Sequence, residues 1–130
     1  MTKEEHIQYW RELSDYDMDT ANAMLNTKRW LYVGFMCHQV LEKILKAYWC
    51  ATQQDNPPFI HSLLRLAEGS GLMAQMDEEQ LLFLDEMMPM NIEARYPSYK
   101  LSLARGLNAE KCLQMIDKTK ELQLWIKNRL

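Results

Sequence analysis

The sequence predicts an all-α protein, an up-and-down bundle of four long helices plus one short helix. Apolar residues recur at the three-to-four-residue spacing of amphipathic helices, and no segment has a convincing strand pattern. The 130 residues include only four glycines and four prolines, which argues against a sandwich with many tight turns. Hydrophobic residues make up 48% and charged residues 25%, as in folded soluble domains. We expect one helical domain over residues 1–130.

Helices one and two are predicted from their apolar faces. Apolar residues recur from His6 to Asn26, and the pattern is clearest from Trp30 to Gln53, where it forms one continuous face. The run Asp55-Asn56-Pro57-Pro58 ends the second helix, because proline lacks a backbone donor and disfavours helix in the residue before it. Asp17 interrupts the first apolar face. Because a buried carboxylate needs a partner, we expect Lys or Arg from another helix beside it.

Two further helices follow the double proline, and the first of them is the short one. The first is predicted from Ile60 to Glu68 and ends at Gly69-Ser70-Gly71, since glycine is common just after a helix. The next begins at Asp77, where Gln80 completes a capping box, and it extends to Pro89.

The last helix is predicted to begin after Asn108, a favoured N-cap residue. Between Pro89 and Leu107 no periodicity is clear, so a long loop is predicted there. Long loops in compact domains are usually functional or disordered.

Charge, cysteine usage and motifs exclude several classes of protein. The net charge of −3 argues against a strongly basic nucleic-acid wrapper, although a local basic patch remains compatible with it. Three cysteines form an odd and widely spaced set, which indicates reduced thiols in a cytoplasmic protein. No P-loop, HExxH, GxSxG or GxGxxG motif occurs.

No metal or cofactor is expected. Asp15, Asp17 and Asp19 alternate as in a calcium loop, but Thr20 and Asn26 stand where such a loop needs Gly and Glu. The histidines do not form a zinc-binding pair at helical spacing.

Two histidines have structural interpretations. His38 borders the apolar face of helix two, one turn before Glu42, and is interpreted as a hydrogen-bonded structural residue rather than a catalytic one. His61 follows the double proline and is expected to make a capping or loop-fixing contact.

The predicted loop carries the candidate ligand site. Between Pro89 and Leu107 the basic residues Arg95, Lys100 and Arg105 outnumber a single acid, and tyrosines stand among them. Guanidinium and ammonium groups bind phosphate and aromatic rings stack on bases, so the segment suits a nucleotide or single-stranded RNA. Arg95 could equally pair with Asp17. The candidate ligand-binding residues are Arg95, Tyr96, Tyr99 and Lys100.

Three parts of the sequence resemble HEPN domains (higher eukaryotes and prokaryotes nucleotide-binding). The first is the run from Gly34 to Ala47, with its Gln, apolar residue, Glu-Lys and Leu-Lys-Ala. The second is the Pro-rich turn followed by His61 and a leucine pair. The third is Arg95-Tyr96-Pro97 before the last helix. Their order and spacing agree across nearly the whole chain.

The resemblance implies a helical homodimer, and a partner among the minimal nucleotidyltransferases with which many relatives form toxin–antitoxin pairs. It also implies that catalytically active relatives are metal-independent endoribonucleases with an Arg followed, four to six residues on, by His. No His follows Arg95 here. A non-catalytic module that binds nucleotide or RNA phosphate is therefore favoured over a ribonuclease using His38 or His61, and over an interaction bundle without a small ligand. Possible supporting residues are Asp17, His38, Glu42, Lys43 and Lys46.

Overall fold

The structure, a computed structural model, describes residues 1–92 and 96–130. Within these ranges the chain forms six α-helices and no strand, so the predicted all-α fold class is confirmed. The helices are α1 (Lys3–Asn26), α2 (Trp30–Thr52), α3 (Leu63–Gly69), α4 (Glu78–Met87), α5 (Pro97–Arg105) and α6 (Ala109–Lys127), with short 3-10 turns at Leu72–Gln75 and Met88–Met90.

Helix α2 is the centre of the bundle. It buries a continuous apolar face, including Leu41, Ile44 and Leu45, and both α1 and α6 pack against it. The Ser14 hydroxyl on α1 donates to the Val40 carbonyl at 2.8 Å and accepts from Nε2 of Gln123 on α6 at 3.0 Å. These hydrogen bonds join α1 to α2 and to α6, and they pair polar groups that burial would otherwise leave without a partner.

Side-chain caps set the start of the long helices. Thr2 and Glu5 form a capping box that begins α1 at Lys3, earlier than the predicted His6, because this box precedes the first apolar residue. The predicted cap of α6 is confirmed, since Oδ1 of Asn108 accepts from the Lys111 backbone N–H at 2.8 Å. The capping box of Asp77 and Gln80 is also confirmed and begins α4.

Helix α3 is shorter than predicted. It begins at Leu63 rather than near Ile60, because the Ser62 hydroxyl caps it by accepting from the Arg65 backbone N–H at 3.3 Å. The predicted glycine-rich end is confirmed. Gly71 takes a φ of 82°, a left-handed conformation that L side chains rarely adopt.

The prediction of a loop from Pro89 to Leu107 was wrong in part, because α5 occupies Pro97–Arg105. Pro97 stands at the first position of this helix, where its fixed φ suits helix and its missing donor costs nothing. No residue of α5 is buried, so the helix lacks the continuous apolar face from which the other helices were predicted. Leu103 and Leu107 attach the segment to the core while remaining partly exposed.

Candidate functional site

The predicted ligand-binding segment lies at the start of α5. Tyr96 is the N-cap residue, with extended backbone, and its side chain makes no capping hydrogen bond. Tyr96 is 82% exposed, and Tyr99 is also exposed. Lys100 is half-buried. Arg95 lies outside the described residues, so its expected pairing with either a ligand or Asp17 stays a prediction.

The surface of α5 is cationic. No acidic residue occurs from Tyr96 to Leu107, whereas Lys100 and Arg105 both lie in this helix. A helix N-terminus adds partial positive charge at its first turn. The first turn of α5 therefore combines an exposed aromatic ring, a lysine and a positive helix end.

Folding places further cations near the end of α5, which local sequence could not reveal. The Lys111 ammonium donates to the Gly106 carbonyl at 3.0 Å, and the Cys112 thiol donates to the Trp30 carbonyl at 3.7 Å. The end of α5 and the starts of α2 and α6 therefore share one end of the bundle. Lys28 and Arg29, both exposed, precede α2 at this end. They are distant in sequence from α5, so only the fold indicates a connection.

Asp17 has the partner that was predicted from another helix. The Lys43 ammonium on α2 donates to Oδ2 of Asp17, whose side chain is largely buried. Lys43 keeps part of its side chain in solvent. The pair therefore joins α1 to α2 without burying a whole lysine.

Glu42 is the centre of a second charged cluster. Its carboxylate is almost fully buried, with Oε2 accepting from the Lys46 ammonium at 3.1 Å and Oε1 lying 2.9 Å from Nδ1 of His61. The Lys46 ammonium lies 5.2 Å from the centroid of the Trp10 ring, within cation–π range. The predicted loop-fixing contact of His61 is thus confirmed, because it anchors the segment between α2 and α3 to Glu42.

His38 is fully buried beside this cluster. Its Nδ1 lies 3.9 Å from Oε1 of Glu42 and 3.5 Å from Nε2 of Gln39. Its Nε2 has no hydrogen-bond partner among the described residues. Burial lowers the pKa of His38 to about 4, which outweighs the opposite effect of the Glu42 carboxylate. The ring is therefore neutral at pH 7 and structural, as its position on the apolar face suggested.

The chemistry available at Glu42 differs from that at α5. His61 keeps 61% of its side chain exposed while its Nδ1 is held by a buried carboxylate. A carboxylate that holds one ring nitrogen of a largely exposed histidine is an arrangement also used by general bases. Burial raises the pKa of the Cys37 thiol to about 12, and burial also raises the pKa of Cys50 and Cys112, so these thiols are poor nucleophiles. Among the residues that the structure describes, no His, Cys, Asp and Glu group could hold a metal ion.

The family model for the HEPN domain matches residues 7–129. The chain belongs to the HEPN family. This HEPN chain is also similar in fold to TT1696 from Thermus thermophilus, with a TM-score of 0.82 over 96% of this chain and 98% of that chain. The two are 18% identical, so this likeness shows the fold alone. A comparison with curated proteins gave no match.

Residues that carried the HEPN resemblance have structural roles in this chain. A Cβ at Gly34 would lie 2.6 Å from the Met90 sulfur, so the small residue lets the turn after α4 approach α2 closely. Glu42 holds His61, and Pro97 begins α5. Within the described residues, no helix is both long enough and apolar enough to cross a membrane.

Proposed function

We propose that this HEPN protein is a non-catalytic module that binds a nucleotide or RNA phosphate at the start of α5. The proposed site comprises Tyr96, Tyr99 and Lys100, together with Arg95. The observation that carries the proposal is the exposed cationic and aromatic surface of a helix that buries none of its side chains. A helix selected only for packing would have an apolar face against the core.

The three chemical features of this surface suit one ligand class. Lys100 supplies a cation for a phosphate, and Tyr96 supplies a ring on which a base can stack. Backbone N–H groups at a helix start favour an anion as well. Four charged residues have a supporting role in this proposal and do not contact the ligand: Asp17, Glu42, Lys43 and Lys46. Their ion pairs hold α1, α2 and the segment before α3 in place. His38 supports the same region from the core.

The proposal includes the assembly that HEPN membership suggests. We infer a homodimer that acts in the cytoplasm beside a minimal nucleotidyltransferase in a toxin–antitoxin-like pair. Membership of the family supports this inference, and the exposed surface of α5 offers a place where such a partner could control access to phosphate. Co-expression with the neighbouring gene product and size-exclusion chromatography would test the pairing.

The binding site is tested with labelled single-stranded RNA and with labelled ATP. Fluorescence anisotropy is measured for the natural protein and for Arg95→Ala, Tyr96→Ala and Lys100→Ala. Each loss is expected to weaken binding by roughly tenfold, since a base stack contributes about 1–3 kcal/mol and charged hydrogen bonds about the same. Raising the salt concentration should weaken binding to the natural protein and should affect Lys100→Ala less.

Two matched variants control for general effects of charge and aromatic loss. Tyr16 on α1 is 70% exposed, and Lys120 on α6 is exposed. Tyr16→Ala and Lys120→Ala should bind like the natural protein. If the α5 variants also bind like the natural protein, the site is elsewhere, and if neither ligand binds at all, the chain is an interaction bundle without a small ligand.

A second candidate function is metal-independent endoribonuclease activity. One observation favours it, namely that Glu42 holds Nδ1 of His61 while 61% of the His61 side chain is exposed. In that reaction Nε2 would take the 2′-hydroxyl proton as the 2′-oxygen bonds to phosphorus, and the P–O bond to the 5′-oxygen would break with that oxygen taking a proton from water. Incubation of single-stranded RNA with chelator should leave the RNA intact. Cleavage that is lost in His61→Gln and retained in His6→Gln would favour the ribonuclease instead.

A further inference from the structure

A groove between α4 and α6 is unused by the proposed phosphate site. Its volume is about 570 Å³, and its walls carry Leu82, Phe83, Leu124 and Trp125. Leu82 is 56% exposed and Leu124 is 59% exposed, whereas Phe83 is nearly buried at its base. Paired exposed leucines beside an aromatic floor form an apolar surface of the kind that marks a protein interaction site.

The rim of this α4–α6 groove is acidic. Asp77, Glu79 and Glu86 border it from the α4 side, and Glu121 borders it from α6. Glu79 and Glu86 are seven residues apart, so they lie on the same side of α4 about two turns from each other.

Two cations lie against aromatic rings that line the groove, and of these Lys118 lines the groove itself whereas Arg129 lies beside it. The Lys118 ammonium lies 5.9 Å from the Phe83 ring centroid. The Arg129 guanidinium stacks 3.6 Å from the Trp125 centroid and donates to Gln75 and to the Trp125 carbonyl. The groove therefore presents an apolar floor with a predominantly negative edge.

We propose that the α4–α6 groove binds a basic amphipathic helix of a partner protein. Charge complementarity carries the choice of partner, because lysines or arginines flanking an apolar stripe would face Glu79, Glu86 and Glu121 while leucines enter between Leu82 and Leu124. The shape also suits a helix, since a groove lined by two helices can accept the side-chain ridge of a third. Helix α4 spans ten residues, and at 1.5 Å per residue this is about 15 Å, or nearly three turns of a bound helix.

This inference goes beyond the proposed phosphate site and does not depend on it. The phosphate site uses the cations and tyrosines of α5, whereas the groove uses acids and leucines of α4 and α6. Either site can fail its test without affecting the other, because the variants and the probes are different.

The probe is a labelled amphipathic peptide of leucine and lysine, about 14 residues long so that it covers the groove. Its binding is measured by fluorescence anisotropy at low and at physiological salt. The same peptide with glutamate in place of lysine tests charge preference. The lysine peptide should bind, and the glutamate peptide should bind about tenfold more weakly or not at all.

Two pairs of protein variants locate the site. Glu86→Lys with Glu121→Lys should weaken the lysine peptide by about tenfold or more, because the rim becomes repulsive. Glu12→Lys with Asp19→Lys makes the same change in net charge on exposed positions of α1 and should leave binding nearly unchanged. Leu124→Ser should weaken binding, whereas Leu113→Ser, a change at a similarly exposed leucine of α6, should not.

Three results would overturn the proposal. The first is equal binding of the two peptides, and the second is equal loss in the groove and α1 charge variants. The third is a combined result in which the lysine peptide does not bind and the natural protein self-associates in sedimentation. In that case the double variant Glu86→Lys with Glu121→Lys abolishes the self-association. This last result would assign the groove to a second copy of the chain, because the basic helix α5 of that copy could face the acidic rim.

Discussion

The cluster around Glu42 and the surface of α5 use the same kinds of side chain in opposite ways. In the cluster, Lys46 lies beside Trp10 and its charge is neutralised by a buried carboxylate. On α5, Lys100 and the exposed Tyr96 stand in a segment without a single acid. The side chains of the cluster contact one another within the chain, whereas those on α5 form the proposed binding surface.

The comparison indicates that the degree of burial decides whether a lysine and an aromatic ring contribute to stability or stay accessible at the surface. Burial makes the charges around Glu42 depend on one another, since each partner would be costly without the others. Exposure makes side chains such as Tyr96 and Leu101 nearly independent of their neighbours, because water surrounds them in the folded chain as in the unfolded one. Substitutions in the cluster should therefore change stability, and substitutions on α5 should change binding.

The largest effect is expected from Glu42→Ala. This change leaves the Lys46 ammonium buried without its carboxylate and releases His61, so the free energy of unfolding should fall by about 3–5 kcal/mol. Urea unfolding followed by circular dichroism measures it. A paired change, Glu42→Leu with Lys46→Met, removes both charges and should recover much of the loss. A decrease of less than about 1 kcal/mol in the free energy of unfolding of Glu42→Ala would mean that the cluster is not a structural unit.

The next largest effect is a dependence of stability on pH that arises from His38. Its pKa is about 4 in the folded chain and near 6.5 in the unfolded chain, so between these values the unfolded state binds more protons. Stability should therefore fall as the pH falls through this window, by about 2 kcal/mol between pH 7.5 and pH 5. The charged and titratable groups that face the same ring are Glu42, His61 and Lys46.

Variants separate the contribution of His38 from those of its neighbours. His38→Gln keeps a polar side chain but does not titrate, so urea unfolding at the two pH values should show a weaker dependence on pH. His6→Gln, which removes a histidine near the start of α1, should keep the dependence of the natural protein. Identical pH profiles for His38→Gln and the natural protein would show that the decrease has another source.

A smaller effect is expected at the partly exposed pair of Asp17 and Lys43. A double-mutant cycle with Asp17→Asn and Lys43→Met should give a coupling energy of about 1 kcal/mol, because Lys43 still reaches water. Arg95→Ala should leave the free energy of unfolding unchanged, since Lys43 already pairs with Asp17. A strong coupling between Asp17 and Arg95 in a second cycle would contradict this assignment.

The fold was predictable wherever an apolar face is continuous. Helix α2 was found to within one residue at its end, and the caps at Asp77 and Asn108 were found from their own chemistry. The start of α1 was missed because its capping box stands before the first residue of the periodic apolar face. Helix α5 was missed because it has no buried residue to produce a periodic pattern.

The candidate site was predictable in its residue types and less so in its connections. The inward position of Asp17 followed from its place on the apolar face, whereas the choice of Lys43 as its partner depends on how α1 and α2 pack. The contact between His61 and Glu42 spans 19 residues, so no local pattern could give its geometry. The acidic groove combines residues of two helices that are not adjacent in sequence, and only the fold assembles it.

The smallest change in stability is expected on α5, where it sharpens the contrast with the cluster most directly. Tyr96→Ala and Leu101→Ala remove exposed side chains, so each should change the free energy of unfolding by no more than about 0.5 kcal/mol. Leu45→Ala in the core of α2 is the control and should cost about 2–5 kcal/mol in the same urea titration. Tyr96→Ala should nevertheless weaken RNA binding by roughly tenfold, because its ring is proposed to stack on a base. If Tyr96→Ala instead lowered stability as Leu45→Ala does, α5 would be part of the structural core, and the division between an interior network and a binding surface would not hold.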